Sequence, residues 1–227
     1  GRKAVSRALV KRKSEWIPLA GGTAVPWFYG NAGEGGFYRP LHNADALAAL
    51  TQEGRPPLDA VERMGLVGHQ WALVRSGRAD LSSILNLLSR LGNDPDFEVL
   101  DAIAATLSAL DDQIASAAGD TTRAALQSWI RATWGPAWKD LGWTGTRDDP
   151  SRLRRGSLLR IVGLLGEDPI LADEAAARFD GYLDDATSLD PNLADTVVAI
   201  SARNGDLERF TKLRGSLEFS DTPQERR

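Results

Sequence analysis

The sequence predicts a mainly α protein, in which stacked antiparallel helix pairs follow a small β-strand remnant. Three observations predict it. The apolar period changes from about two to about 3.6 near Asn43 and keeps the longer value thereafter. Helical stretches succeed one another with breaks of a few residues, which makes consecutive helices antiparallel neighbours. Two breaks carry the same start signal, an aspartate before a proline at Asp168-Pro169 and Asp190-Pro191.

The first forty residues hold the strand-like part. Val5 to Val10 alternates loosely, Trp16-Ile17-Pro18-Leu19 and Val25-Pro26-Trp27-Phe28-Tyr29 are short aromatic and β-branched runs, and glycines at 21–22 and 33–36 punctuate them. Two or three strands bury too little apolar surface alone, so this sheet is expected to lean on a neighbour. Asn43 then caps a short helix with Leu47 and Leu50. Pro56-Pro57 is expected to start a longer one, with Val61, Met64, Gly65, Val67, Gly68, Trp71, Ala72 and Val74 as its apolar stripe and Gly77 as its stop. The two internal glycines suggest close helix contact.

Asp80 caps "LSSILNLLSRLG", with Leu81, Ile84, Leu85, Leu88 and Leu91 on one side. Phe97, Leu100, Ile103, Ala104, Leu107 and Leu110 continue the helical spacing into "DDQIASAAGD", read as an exposed turn. Thr121 or Thr122 opens the next helix, which carries Leu126, Trp129, Ile130 and Trp134; Pro136 is placed near its end, with Trp138, Leu141 and Trp143 beyond. Four more segments, 151–166, 169–186, 191–204 and 206–214, complete a degenerate α-solenoid of the HEAT type without exact repeats. Thr222 and Glu225 then form the start of a further capping box.

Composition sets bounds. With 42% hydrophobic and 26% charged residues in 227, the chain has an ordinary globular profile. No apolar run approaches the roughly 18 residues of a membrane span, and a net charge of −4 argues against a general nucleic-acid binder. The cluster Arg152, Arg154 and Arg155 reads as a solvated helix face. The chain lacks cysteine, which excludes disulfides, thiol catalysis and thiolate metal sites and favours a cytoplasmic location. It opens without Met on a basic stretch with no apolar signal core, and so reads as a fragment.

Chemical motifs are sparse. "NAGEGGFYRP" has Phe37-Tyr38-Arg39 where a P-loop needs Gly-Lys-Ser/Thr, and Tyr38 where the dinucleotide fingerprint needs its third glycine. Backbone freedom at a corner is its expected role. His42 and His69 are the only histidines and do not have the H-E-x-x-H spacing, so both read as structural. No serine sits in a G-x-S-x-G elbow. Trp129, Trp134, Trp138 and Trp143 suit helix packing better than a stacking platform, and Asp111-Asp112, Asp148-Asp149 and Asp184-Asp185 suit capping better than acid–base work.

The order of landmarks resembles a known family. "WFYGNAGEGGFYRPLHNADALAAL" is similar to the junction in zinc aminopeptidases of the aminopeptidase N, puromycin-sensitive and endoplasmic-reticulum aminopeptidase group. There an "N-x-G-x-x-G-[FY]-Y-R-V-x-Y" run leaves a β-sandwich and enters a C-terminal helical domain. Asn31, Gly33, Gly36, Phe37, Tyr38 and Arg39 fall on that pattern, whereas Pro40 and His42-Asn43 depart from it. Arg63, Leu66, Ala72, Leu73 and Gly77 match the next family segment, with His69 in place of its aspartate. "LGW", "SLLR", "DEAAARFDGYL", "PNLADTVVAISARNGD" and "TPQER" follow in the family's order.

The resemblance implies that residues 1–40 are the terminal strands of a preceding β-sandwich with the junction, and residues 41–227 the first part of the helical domain. It implies a non-catalytic piece with no metal or cofactor residues of its own, the zinc lying in the parent's catalytic domain. Its partners would be the parent's catalytic and β-sandwich domains and a peptide substrate, with neither nucleic acid nor membrane. The helical domain would shape the cavity that governs peptide access, and Arg152, Arg155 and Arg160 would meet a peptide's carboxylate. Phe37 and Tyr38 are expected to be buried at the junction and Arg39 paired there. The alternatives are a free-standing helical-repeat interaction module and a degenerate enzyme without zinc ligands.

Overall fold

A computed structural model describes residues 5–18, 26–52, 58–145 and 148–218, with side chains described to residue 215. The chain forms two compact units that divide between Leu91 and Gly92. Among the described residues there is no strand, so the expected strand remnant is not found: 5–18 and 26–43 run without ladder partners. An extended segment alone gains no interstrand hydrogen bonds, and its backbone polar groups stay with water. The expected strand and turn residues at 19–25 lie outside the described residues, as do Pro56-Pro57 and the Thr222–Glu225 capping box.

In the first unit, a 3₁₀ turn at Ala32–Glu34 precedes helices α1 (Ala44–Leu50), α2 (Ala60–Arg75) and α3 (Leu81–Arg90). Asn43 caps α1 as expected, its side chain accepting from the Ala46 N–H at 2.8 Å. The start of α2 is a capping box on Asp59: the Glu62 N–H donates to Asp59 Oδ1 at 2.9 Å, and the Asp59 N–H to Glu62 Oε2 at 3.2 Å. Gly77, at φ 69°, turns the chain after Arg75. Ile84, Leu87, Leu88 and Leu91 form the buried side of α3, and α1 and α2 both pack against that helix.

The apolar stripe expected on α2 is corrected. Its buried positions are Glu62, Arg63, Leu66, Val67, Gln70 and Leu73, and Val61 is 56% exposed. The face toward the core is rotated because its polar members find partners there. Arg63 Nη1 donates to the Leu58 carbonyl at 2.7 Å, Gln70 Nε2 to Ser83 Oγ at 2.6 Å, and Glu62 Oε1 accepts from the Gly33 N–H at 2.9 Å. A buried polar group that is hydrogen-bonded escapes most of its desolvation cost.

In the second unit, α4 (Phe97–Leu110) does not end at an exposed turn. It runs through a π-helical stretch at Asp111–Ala115 into one last turn, α5 (Ser116–Ala118), and stops at Gly119, whose φ is 99°. Likewise α6 (Asp120–Leu141) passes through Pro136, so Trp138 and Leu141 belong to the helix. Pro136 and Ala132, whose carbonyl loses its N–H donor, are both exposed, and water can replace the missing bond. Next, α7 (Asp149–Leu159) leads into a second π-helical stretch, Arg160–Leu165. The last helices are α8 (Pro169–Asp184), α9 (Pro191–Arg203) and α10 (Leu207–Glu218).

The aspartate signals work as expected. Asp148 accepts from the Ser151 N–H at 3.0 Å, Asp168 from Ile170 and Leu171 at 3.0 and 3.1 Å, and Asp190 from Asn192 at 3.0 Å. Helix α7 packs on α4 and on α9, and α8 packs on α9. Two glycines on α7 and its continuation set the α9 contact: a Cβ at Gly156 would lie 2.8 Å from the Asn192 carbonyl oxygen, and one at Gly163 would lie 2.6 Å from Ile200 Cδ1. Trp134 is fully buried with Trp129 edge-on at 5.3 Å, so these tryptophans pack as expected.

Candidate functional site

The junction sequence folds into a polar knot. Asn31, 2% exposed, brackets the loop: Oδ1 accepts from the Gly36 N–H at 2.7 Å, and Nδ2 donates to the Gly36 carbonyl and to Glu34 Oε2, both at 3.1 Å. Glu34 lies at φ 52°, a conformation its contacts must hold in place. Its carboxylate accepts from the Tyr29 hydroxyl and pairs with His69 Nε2 at 2.9 Å, resting over Gly65, where a Cβ would collide with it. Gly65 therefore admits a carboxylate from the loop, where the sequence suggested another helix. Burial, and then Glu34, push the Tyr29 phenol far above its ordinary value.

His42 stacks on Tyr29 at 5.7 Å with planes 12° apart. Burial lowers its pKa, and repulsion from His69 adds to this. Both histidines thus have structural surroundings. The expected burial of Phe37 and Tyr38 is corrected: Phe37 is fully exposed and Tyr38 56% exposed, while Tyr29 and Asn31 occupy the interior. The Tyr38 ring runs along the outside of the loop, where its hydroxyl donates to the Gly30 carbonyl at 2.6 Å, and Gly36 leaves room for the ring. Arg39 is exposed and has no ion pair among the described residues. Helix α1 nevertheless begins directly after Asn43.

The second constellation is a cavity of about 270 Å³ within the second unit, lined in part by Trp143, Arg155, Arg178, Leu189, Asp190 and Leu193. Trp143 Nε1 donates to Glu174 Oε2 at 2.6 Å, and Trp138 meets its ring edge-on at 5.1 Å. The Arg178 guanidinium lies over the Trp143 ring at 3.9 Å and donates to the Glu174 carbonyl at 3.1 Å. Arg178 forms no ion pair among the described residues, and burial lowers its pKa.

The three arginines singled out from the sequence part company. Arg155 is 2% exposed and lines the cavity. Arg152 forms a two-point pair with Asp190, Nε to Oδ2 at 3.0 Å and Nη2 to Oδ1 at 3.1 Å, which holds the Asp190 carboxyl below its ordinary range. Arg160 is exposed on the π-helical stretch. Sequence reasoning missed Arg178, and it read Asp190 only as a helix cap. Their nearness in sequence to Phe179 and Leu189 carries no sign of a shared cavity. Among the described residues, no three His, Cys, Asp or Glu side chains are placed to hold a metal ion, and no helix is long and apolar enough to cross a membrane.

The model of the ERAP1-like C-terminal domain family matches residues 27–227, which takes in both the knot and the cavity. The chain belongs to this family. Among relatives of this ERAP1-like domain, the puromycin-sensitive aminopeptidase of Caenorhabditis elegans is 23% identical over 211 residues, covering 92% of this chain and 22% of that protein. Aminopeptidase M1 of Arabidopsis thaliana is 26% identical over 209 residues, 88% of this chain and 23% of that protein. Aminopeptidase M1-D of Oryza sativa subsp. japonica is 31% identical over 175 residues, 73% of this chain and 19% of that protein. The ERAP1-like domain thus spans about a fifth of the length of the curated relatives it matches.

Proposed function

We propose that this chain is a non-catalytic C-terminal part of a zinc aminopeptidase, which in the parent enzyme shapes the substrate cavity and controls peptide access. The observation that carries the reading is the family match over 27–227 together with relatives named as aminopeptidases. In this reading residues 1–40 belong with a preceding β-sandwich, and residues 41–227 are the first part of a helical solenoid. The contacts of α7 with α4 and with α9 support it, because in stacked hairpins every second helix is a lateral neighbour. Zinc would be held by the parent's catalytic domain, since the sequence here has no H-E-x-x-H. The absence of cysteine fits a cytoplasmic enzyme.

Contact with the parent's other domains would use the side chains left outside the first unit's core, namely Phe28, Phe37, Tyr38, Leu41, Val61 and Met64. Of the three arginines, Arg160 would be the one to meet a peptide's carboxylate, because it is exposed, while Arg152 holds Asp190 and Arg155 is buried. Purified alone, the chain should neither bind zinc stoichiometrically nor cleave aminoacyl-anilides; tight zinc with turnover would overturn the reading. In the parent enzyme, Arg160→Ala should raise KM for long peptides several-fold while leaving dipeptide-sized substrates unchanged. Equal losses for both would remove Arg160 from peptide binding.

A further inference from the structure

We propose that the cavity beside Trp143 binds a free α-amino acid, its carboxylate on Arg178 and its ammonium on Asp190. The lining carries charges of both signs, as a zwitterion requires. Arg155, Arg178 and Asp190 line the same space of about 270 Å³, with Leu189 and Leu193 offering apolar surface to a side chain. That volume falls at the lower edge of small-molecule pockets, and suits a ligand of about ten heavy atoms better than a folded peptide segment.

The groups are also poised to bind. Arg178 is held flat by the Trp143 ring and by one bond to the Glu174 carbonyl, and Trp143 has already taken the Glu174 carboxylate. The guanidinium therefore sits partly desolvated, with the Glu174 carboxylate acting on it through space but with no hydrogen-bonded anion among the described residues, and an incoming carboxylate would supply one. On the opposite charge, Asp190 Oδ1 serves Arg152 Nη2 and both nitrogens of Asn192, whereas Oδ2 accepts only Arg152 Nε among the described residues. Oδ2 retains room for an ammonium donor. The pair with Arg152 keeps Asp190 ionised and fixed in orientation, so binding costs little reorganisation. For its biological sense this inference rests on the aminopeptidase reading: each cleavage by such an enzyme releases one free amino acid, so the ligand would be its product, and an occupied cavity would report its accumulation.

Isothermal titration of the 227-residue chain with L-leucine tests this, beside N-acetyl-L-leucine, which lacks the ammonium, and L-leucinamide, which lacks the carboxylate. Leucine should bind saturably. Each analogue should bind about tenfold or more weakly, the loss of one charge-assisted contact. Arg178→Met and Asp190→Asn should weaken leucine by a similar factor, with a thermal melt of each variant to confirm folding; the analogues, used on the unsubstituted chain, decide the matter if a variant fails to fold. No saturable binding at millimolar leucine overturns the proposal. Equal binding of N-acetyl-leucine also overturns it, and would make the cavity a receptor for peptide ends. Neither result bears on zinc or turnover in the parent enzyme, and an inactive parent leaves the binding measurement standing.

Discussion

Two glycines on the same helix make opposite predictions. Gly65 and Gly68 both lie inside α2, where replacing glycine with alanine stabilises a helix by about 1 kcal/mol if the new methyl is free. A methyl at Gly68 meets nothing within 4 Å, so Gly68→Ala should stabilise the first unit by up to about 1 kcal/mol. At Gly65 the methyl collides with the Glu34 carboxylate, which must leave Tyr29, Asn31 and His69. Three bonds to a charged group are lost, but the Glu34 side chain is 20% exposed and recovers some hydration, so the net loss is about 2–3 kcal/mol. Subtracting the helix gain leaves Gly65→Ala about 1–2 kcal/mol destabilising. Native-state hydrogen exchange at the amides of Ala60–Arg75 reads the unit directly, whereas a global melt mixes two units. The double variant completes the test: once Glu34→Ala has removed the obstacle, adding Gly65→Ala should be stabilising. Equal protection in Gly65→Ala and Gly68→Ala, or no recovery in the double variant, would refute the role given to Glu34.

Three further outcomes follow from packing and charge. The lowered pKa of His42 means that the unfolded chain binds a proton more readily; the stability it contributes is complete above the unfolded value of 6.5 and falls as pH drops through the folded value, so amide protection factors near Tyr29, taken against the intrinsic exchange rate at each pH, should fall from pH 7.5 to 5.5, and less so in His42→Phe. Gly156→Ala should destabilise by about 1–3 kcal/mol in urea titration despite its better helix propensity, because the obstacle is the Asn192 backbone carbonyl; Gly163→Ala should cost less, since the Ile200 side chain can turn away. Asp190→Ala removes both the α9 cap and the Arg152 pair and should cost about 1–3 kcal/mol, with Asp190→Asn losing less than half of that because asparagine still caps; differential scanning fluorimetry separates the two.

The features legible in the sequence were those whose cause lies within a few residues. Asn43, Asp168-Pro169 and Asp190-Pro191 satisfy N–H groups two or three positions on, and the helices begin where those residues place them. The buried face of α2 was illegible because Glu62, Arg63 and Gln70 are satisfied by Gly33, Leu58 and Ser83, outside the helix. Pro136 misled because the rule concerns a missing donor, and whether the orphaned carbonyl at Ala132 suffers depends on which side of α6 meets water. At the junction the pattern located Asn31 and Gly36, which act on each other, but not the outward course of Phe37 and Tyr38. For the cavity, Arg155 was visible only as one of a cluster. Arg178 becomes recognisable once Trp143, remote in sequence, is seen beneath it.

The two π-helical stretches, Asp111–Ala115 and Arg160–Leu165, bear on how this chain tolerates changes in length. A π turn is what a helix becomes when it houses one residue beyond its regular winding. Deleting a single residue inside either stretch can let the winding relax to the regular form, with the side chains on both flanks kept in phase. The same deletion early in α9, which has no π turn to absorb it, would turn every later side chain of that helix by about 100° and carry Val197 and Ile200 out of the interior. One-residue gaps between related sequences should therefore gather at these two places, where the helix has slack to give.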